Sequence, residues 1–178
     1  MNKLLFFFYV LAVLVTILVF YVMNYFTAPI TPSEGGGGGG NPPIIILVFT
    51  LPFIMFFVYG TIELFMRFTL KRLSKKVTII SIILSLLLAG AIVVLTIIKA
   101  DALRNRIVDV KENFNDPSVF PLLNTFSNDI FFNPLTFLMV LLLCYVFGAI
   151  WGINRKKKNP KSKEQKLVRQ INFVNKPQ

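Results

Sequence analysis

Hydrophobic and polar positions in this chain fall into long blocks rather than an alternation. Four blocks are apolar almost throughout: Leu4 to Phe26, Ile44 to Phe65, Val77 to Ile98 and Leu135 to Ile153. About 20 apolar residues in helical form cross a hydrocarbon core of about 30 Å, so each block is long enough to span a membrane. Transmembrane strands would alternate over about ten residues, and these blocks do not. A helix also satisfies its own backbone hydrogen bonds inside lipid. The pattern therefore predicts an all-α integral membrane protein, a four-transmembrane-helix bundle with helical segments over 1–26, 44–66, 77–98 and 134–153. The first block exceeds the roughly 7–15 apolar residues of a signal peptide, and no Ala-x-Ala site follows it, so a retained helix is expected. Phe6, Phe7, Phe8 and Tyr9 at one end of that block, and Phe20, Tyr21, Tyr25 and Phe26 at the other, read as interfacial aromatic belts. Trp151 takes the equivalent place near the end of the fourth block.

The connections differ sharply in composition. Residues 27–43 form a Gly/Pro-rich linker in which six consecutive glycines, Gly35 to Gly40, allow almost any backbone path. Such a linker leaves the first helix loosely tied to the others. Pro52 interrupts the second block and is expected to kink it. Residues 67–76 are a short basic loop, and 99–133 are charged and apolar by turns. After Lys99, the residues Leu103, Ile107, Val110 and Phe114 make one apolar stripe on an otherwise charged helix. This extends the third helix up to Asp116-Pro117, where the proline should stop it. The stripe and Phe120, Leu122, Leu123 and Phe126 then form either the core of a small extracytoplasmic helical cap or a surface left open for another protein. Asn133-Pro134 pairs an N-cap residue with a proline at the first helical position, a favourable start for the fourth helix. In the tail, 154–178, Leu167, Ile171 and Val174 are spaced for a short amphipathic helix, with a disordered tail as the alternative.

Charge sets the expected orientation. Lys and Arg near the membrane mark the cytoplasmic side. Of the 19 basic residues, Lys3, the 67–76 loop and the tail hold all but Lys99, Arg104, Arg106 and Lys111, and the 27–43 linker has none. Both termini are therefore expected in the cytoplasm, in the cell membrane. Of the net charge of +11, the expected cytoplasmic parts hold +14, fifteen basic residues less Glu164, and the rest of the chain is slightly negative. Arg155, Lys156, Lys157 and Lys158 abut the fourth helix, where the simplest reading is a stop-transfer anchor touching the anionic inner leaflet. Nucleic-acid binding would call for interleaved aromatics or a folded module, and the tail offers only Phe173, so no nucleic-acid partner is expected.

Candidate chemistry is sparse. With no His and one Cys, Cys144, the chain lacks a ligand set for structural zinc and a His ligand for haem, and no cofactor is expected. It has no nucleophile-elbow, phosphate-loop or His-based acid/base pattern, so a non-enzymatic role is expected. Glu63 is the one acid inside a span; Arg67 follows at the spacing of a helical ion pair, with a gating or transport role as the alternative. Small residues recur at every fourth position in the third helix (Ser81, Ser85, Ala89) and the fourth (Cys144, Gly148, Gly152), a pattern that lets membrane helices approach closely. Run antiparallel, these stripes match in depth, which predicts that the third and fourth helices pack on each other through them; self-association or partner binding through Gly148-x-x-x-Gly152 competes with that reading.

Two function classes follow. The first is a non-enzymatic accessory, assembly or regulatory subunit of a larger membrane complex, with other integral membrane proteins and lipids as partners. The second is a small pore-former. By architecture and charge, without a residue motif, the chain resembles holins in outline, which implies homo-oligomers lined by Thr50, Thr61, Glu63, Ser81 and Ser85. A membrane-acting immunity or defence protein is a third class that the pattern admits.

Overall fold

A computed structural model of the chain describes residues 3–32, 41–111 and 115–158, with the side chains of 157 and 158 excepted. The glycine run, Glu112, Phe114 and the tail from 159, including its expected amphipathic helix, lie outside these residues. The described residues are helical, without strands: α1 (Lys3–Tyr25), α2 (Ile44–Arg72), α3 (Lys75–Val110), the single turn α4 (Asn128–Phe131) and α5 (Pro134–Lys158). Four helices, α1, α2, α3 and α5 together with the α4 turn, are long and apolar enough to cross a membrane.

The helices outrun the apolar blocks that predicted them. α2 continues to Arg72 and α3 begins at Lys75, so the expected 67–76 loop shrinks to Leu73 and Ser74. The reason is that Lys and Arg are good helix formers: a switch from apolar to basic marks where lipid ends, not where a helix ends. Ser74 starts α3 in extended conformation, its hydroxyl accepting from the Val77 N–H at 3.4 Å. At the other end α3 stops at Val110, short of Asp116-Pro117. That dipeptide instead opens a single 3-10 turn, Pro117–Val119, with the Asp116 carboxylate accepting from the Ser118 N–H at 2.8 Å and hydroxyl at 2.6 Å. These two hydrogen bonds hold the Asp116 carboxyl below the usual carboxylate range. α5 opens as its sequence suggests: Asn133 Oδ1 accepts from the N–H groups of Leu135 at 2.9 Å and Thr136 at 3.0 Å.

α2 and α5 form the most extensive helix contact. α1 lies on α2, and α3 lies on α5. α3 makes no comparable contact with α1 or α2, so the spans form a central pair with a helix on each flank rather than a closed ring of four. The flanking helices each bury one narrow stripe: Ala12, Thr16, Val19 and Met23 on α1, and Thr78, Ser85, Ala89, Ile92, Thr96 and Ala100 on α3. Their other faces are apolar and exposed, as suits lipid contact.

Where α1 ends and α5 begins, the connecting segments lock together. Ile107 is fully buried with Phe120 and Phe126 around it, and Leu103, Val108, Ala28 and Ile30 pack at the edge. Leu122 stays partly exposed, and Leu123 is outside this cluster. Arg104 fastens the returning chain to α3: its Nε donates to the Phe120 carbonyl at 2.6 Å, and its Nη1 to Asp101 at 3.2 Å. Asn41 and Asn128 exchange side-chain amide hydrogen bonds of 2.6 and 3.2 Å, and the Ala28 N–H donates to the Thr125 carbonyl at 3.0 Å. Both ends of the glycine linker are thus tied to this network. α1 is held more firmly than the linker composition suggests, because its anchors lie outside the glycine run.

Candidate functional site

α5 is the hub, and its small residues face α2. A Cβ placed on Gly148 would lie 2.5 Å from the Ile62 carbonyl oxygen and 2.9 Å from Phe65 Cβ. A Cβ on Gly152 would lie 3.1 Å from Thr69 Cβ and 3.3 Å from the Met66 carbonyl oxygen. Gly148 therefore admits the backbone of α2 itself, and Gly152 admits the Thr69 side chain. This corrects the expected pairing of Gly148 and Gly152 with Ser85 and Ser81 of α3. The physical reason is that a spacing of four names a helix face but not the helix that will occupy it. Cys144, one turn before Gly148 on the same stripe, is buried. Farther along the same pair, Phe57 of α2 stacks on Phe137 of α5 with ring centroids 5.8 Å apart.

α3 reaches α5 by other means. The Ser81 hydroxyl hydrogen-bonds the Tyr145 hydroxyl, while Ser85 and Ala89 of the same stripe are buried. Tyr145 also meets Phe65 of α2 edge-on at 5.3 Å, so one side chain touches both neighbours of α5.

The α1 contact depends on a residue whose part the spacing rules did not reveal. A Cβ on Gly60 would collide with the Tyr9 ring, so the missing side chain makes room for that ring against α2. Tyr9 then hydrogen-bonds Thr61 across the helices at 3.0 Å. The belt reading of Tyr9 hid this, because an aromatic near an apolar end looks the same whether it faces headgroups or a neighbour.

Glu63 and Arg67 form the expected pair. Arg67 donates to Glu63 Oε1 from Nη2 at 2.5 Å and from Nε at 3.1 Å. Both lie beside Tyr9, Gly60 and Leu64 in a groove of about 210 Å³ between α1 and α2. Both donors converge on one carboxylate oxygen, which sets the cation beside the anion within one helix turn. A larger groove of about 530 Å³ runs between α1 and the start of α5, with walls from Ile17, Phe20, Tyr21 and Phe137 and a floor near Asn24 and Phe132. There the Asn24 side chain donates to the Phe132 carbonyl at 3.0 Å, and Phe20 meets Phe132 and Phe137 edge-on.

Two residues of the basic run act inside the fold. Lys156 Nζ donates to the carbonyls of Thr69 at 2.9 Å and Leu73 at 2.7 Å, closing the end of α2. The Thr69 carbonyl otherwise accepts only a long bond of 3.4 Å from the Leu73 N–H, and a cation there also meets the negative end of the helix dipole. The Arg155 guanidinium lies 5.0 Å from the centre of the Trp151 ring. The side chains of Lys157 and Lys158 lie outside the described residues. Among the described residues no cluster of His, Cys, Asp or Glu is arranged to hold a metal ion. No family model, no curated protein and no solved structure matches this chain.

Proposed function

We propose that this chain is a non-enzymatic accessory, assembly or regulatory subunit of a larger complex in the cell membrane. In this reading both termini lie in the cytoplasm, with Lys71, Arg72, Lys75, Lys76 and the tail on the positive side. The segment 115–133 is then an extracytoplasmic cap over α1 and α3, and the basic end contacts anionic lipid.

One observation carries the reading. Four of the five polar side chains that would line a pore are hydrogen-bonded within the chain, two across helix contacts and two within α2, and the fifth, Ser85, is buried. Thr61 binds Tyr9 toward α1, Ser81 binds Tyr145 toward α5, Glu63 binds Arg67, and Thr50 donates to its own helix at Ile46. Their hydrogen bonds are thus made within the chain, which favours a packing unit over a conduit. The open aromatic groove between α1 and α5 gives another membrane protein a place to seat an apolar segment.

The test is mild-detergent extraction from native membranes followed by intact-complex mass measurement. A discrete assembly with unlike subunits is expected. A homo-oligomer of this chain alone, with ion flux in liposomes that Glu63→Gln abolishes, would overturn the proposal in favour of a pore.

A further inference from the structure

A second feature at the basic end is independent of the partner question. Between the first turn of α3 and the last turns of α5 is a pocket of about 220 Å³ lined by Lys75, Thr78, Ile153 and Lys156. Two of its four lining residues are lysines, whose stems and Ile153 make the walls mainly apolar. The Thr78 hydroxyl gives its hydrogen to the Ser74 carbonyl at 2.8 Å, so the ammonium groups are the side-chain donors left for a ligand. Lys156 is also fixed in place. It gives two N–H groups to Thr69 and Leu73, and an ammonium has three. Neither lysine has a carboxylate partner among the described residues. The only acid described in this half of the molecule, Glu63, is held by Arg67.

We infer that this pocket binds the phosphodiester headgroup of an acidic phospholipid. The free ammonium group of Lys75, with the third N–H of Lys156 beside it, suits a phosphate oxygen through charge-assisted hydrogen bonds. Basic pockets between membrane helices on the cytoplasmic side are where anionic headgroups bind. The pocket is too small for a whole lipid, and the surface beside it explains the rest. Ile79, Ile83 and Leu86 of α3, at i+4, i+8 and i+11 from Lys75, are exposed, which leaves an apolar track for acyl chains on the Lys75 side of the helix. A free phosphate would use the lysines and leave the track bare. Because Lys156 also closes α2, the lipid would join α2, α3 and α5 at one point. The inference rests on the proposed contact of the basic end with anionic lipid, and it narrows that contact to one site.

The experiment is native mass spectrometry of the full chain in detergent, titrated with phosphatidylglycerol, phosphatidylcholine or inorganic phosphate. Preferential retention of one phosphatidylglycerol is expected, unaffected by inorganic phosphate. Lys75→Gln should weaken it about fivefold, the effect of one basic residue near anionic lipid. Lys75→Arg should retain it, and Lys3→Gln, at the start of α1 and not lining the pocket, should leave it unchanged, as should Lys71→Gln, which is nearer but also does not line it. An equal loss from Lys71→Gln and Lys75→Gln would overturn the site and leave only diffuse attraction. Displacement by inorganic phosphate would make the ligand a free anion and overturn the lipid assignment. No preference for phosphatidylglycerol in the unaltered protein would overturn both the site and the broader contact.

Discussion

α5 meets α2 and α3 in opposite ways. Toward α2 it offers no side chain at two positions a turn apart: the Ile62 carbonyl sits where a Gly148 Cβ would be, and the Thr69 side chain packs against Gly152. Toward α3 it offers a long side chain, Tyr145, whose hydroxyl reaches Ser81. In lipid there is no hydrophobic drive to bring helices together, so dispersion between closely approaching backbones and interhelical hydrogen bonds must do it. The first means is used for α2 and the second for α3. The α2 contact is also closed at one end by Lys156. α3 takes part of its attachment elsewhere, through Ile107, Phe120 and Phe126 and through Arg104. The α2–α5 pair is thus the rigid unit, and α3 is a flank tied at its two ends.

The contrast breaks most clearly at Gly148. Gly148→Val puts side-chain atoms where Ile62 O, Phe65 Cβ and Met66 N already lie, and two of these are backbone atoms that cannot swing away. Overpacking of this kind costs about 1–3 kcal/mol and sometimes more. Reversible unfolding in mixed micelles should show a loss at the upper end of that range. A variant as stable as the parent would mean that α2 and α5 do not approach as closely as described.

Ser81→Ala is the corresponding change on the other face, and a smaller effect is expected. It removes one hydroxyl pair, and interhelical hydrogen bonds in membranes average about 0.6 kcal/mol. Tyr145→Phe should cost about the same, since its ring keeps the Phe65 contact. The double variant should be no worse than Ser81→Ala alone, since that change already removes both the Tyr145 bond and the Ser81 bond to the Thr78 carbonyl at 3.0 Å. A loss from Ser81→Ala matching that from Gly148→Val would remove the distinction between pair and flank.

How far this difference was legible in the sequence follows from the same physics. The spans were legible because continuous apolarity over helical length has one solution in lipid. The partners were not. On a helix that is apolar on every side, hydropathy distinguishes no face, so Gly148 and Gly152 announced a close approach without saying to which helix. Gly60 stayed unread because the feature that explains it, the Tyr9 ring, sits on a different helix. The Asn41–Asn128 pair was beyond reach for a related reason: its two amides are 87 positions apart, and nothing local to either predicts the other. Glu63 and Arg67 were legible because both belong to one turn of one helix, where spacing alone brings them together.

The smallest expected effect has the opposite sign and sharpens the same point. Gly90 lies on the exposed side of α3, and a Cβ there would meet nothing within 4 Å. Glycine in a helix interior costs roughly 0.5–1 kcal/mol relative to alanine, through the backbone freedom lost on folding. Gly90→Ala should therefore stabilise the chain by up to about that amount in the same unfolding assay. Gly148→Ala, by contrast, should destabilise it, since even one methyl meets the Ile62 carbonyl at 2.5 Å. The same substitution at two membrane glycines then gives opposite signs, decided by whether a second backbone occupies the space. Destabilisation by Gly90→Ala would show that the exposed face of α3 is covered by a closely packed neighbour, and would place a partner subunit or a second copy against α3 at that depth.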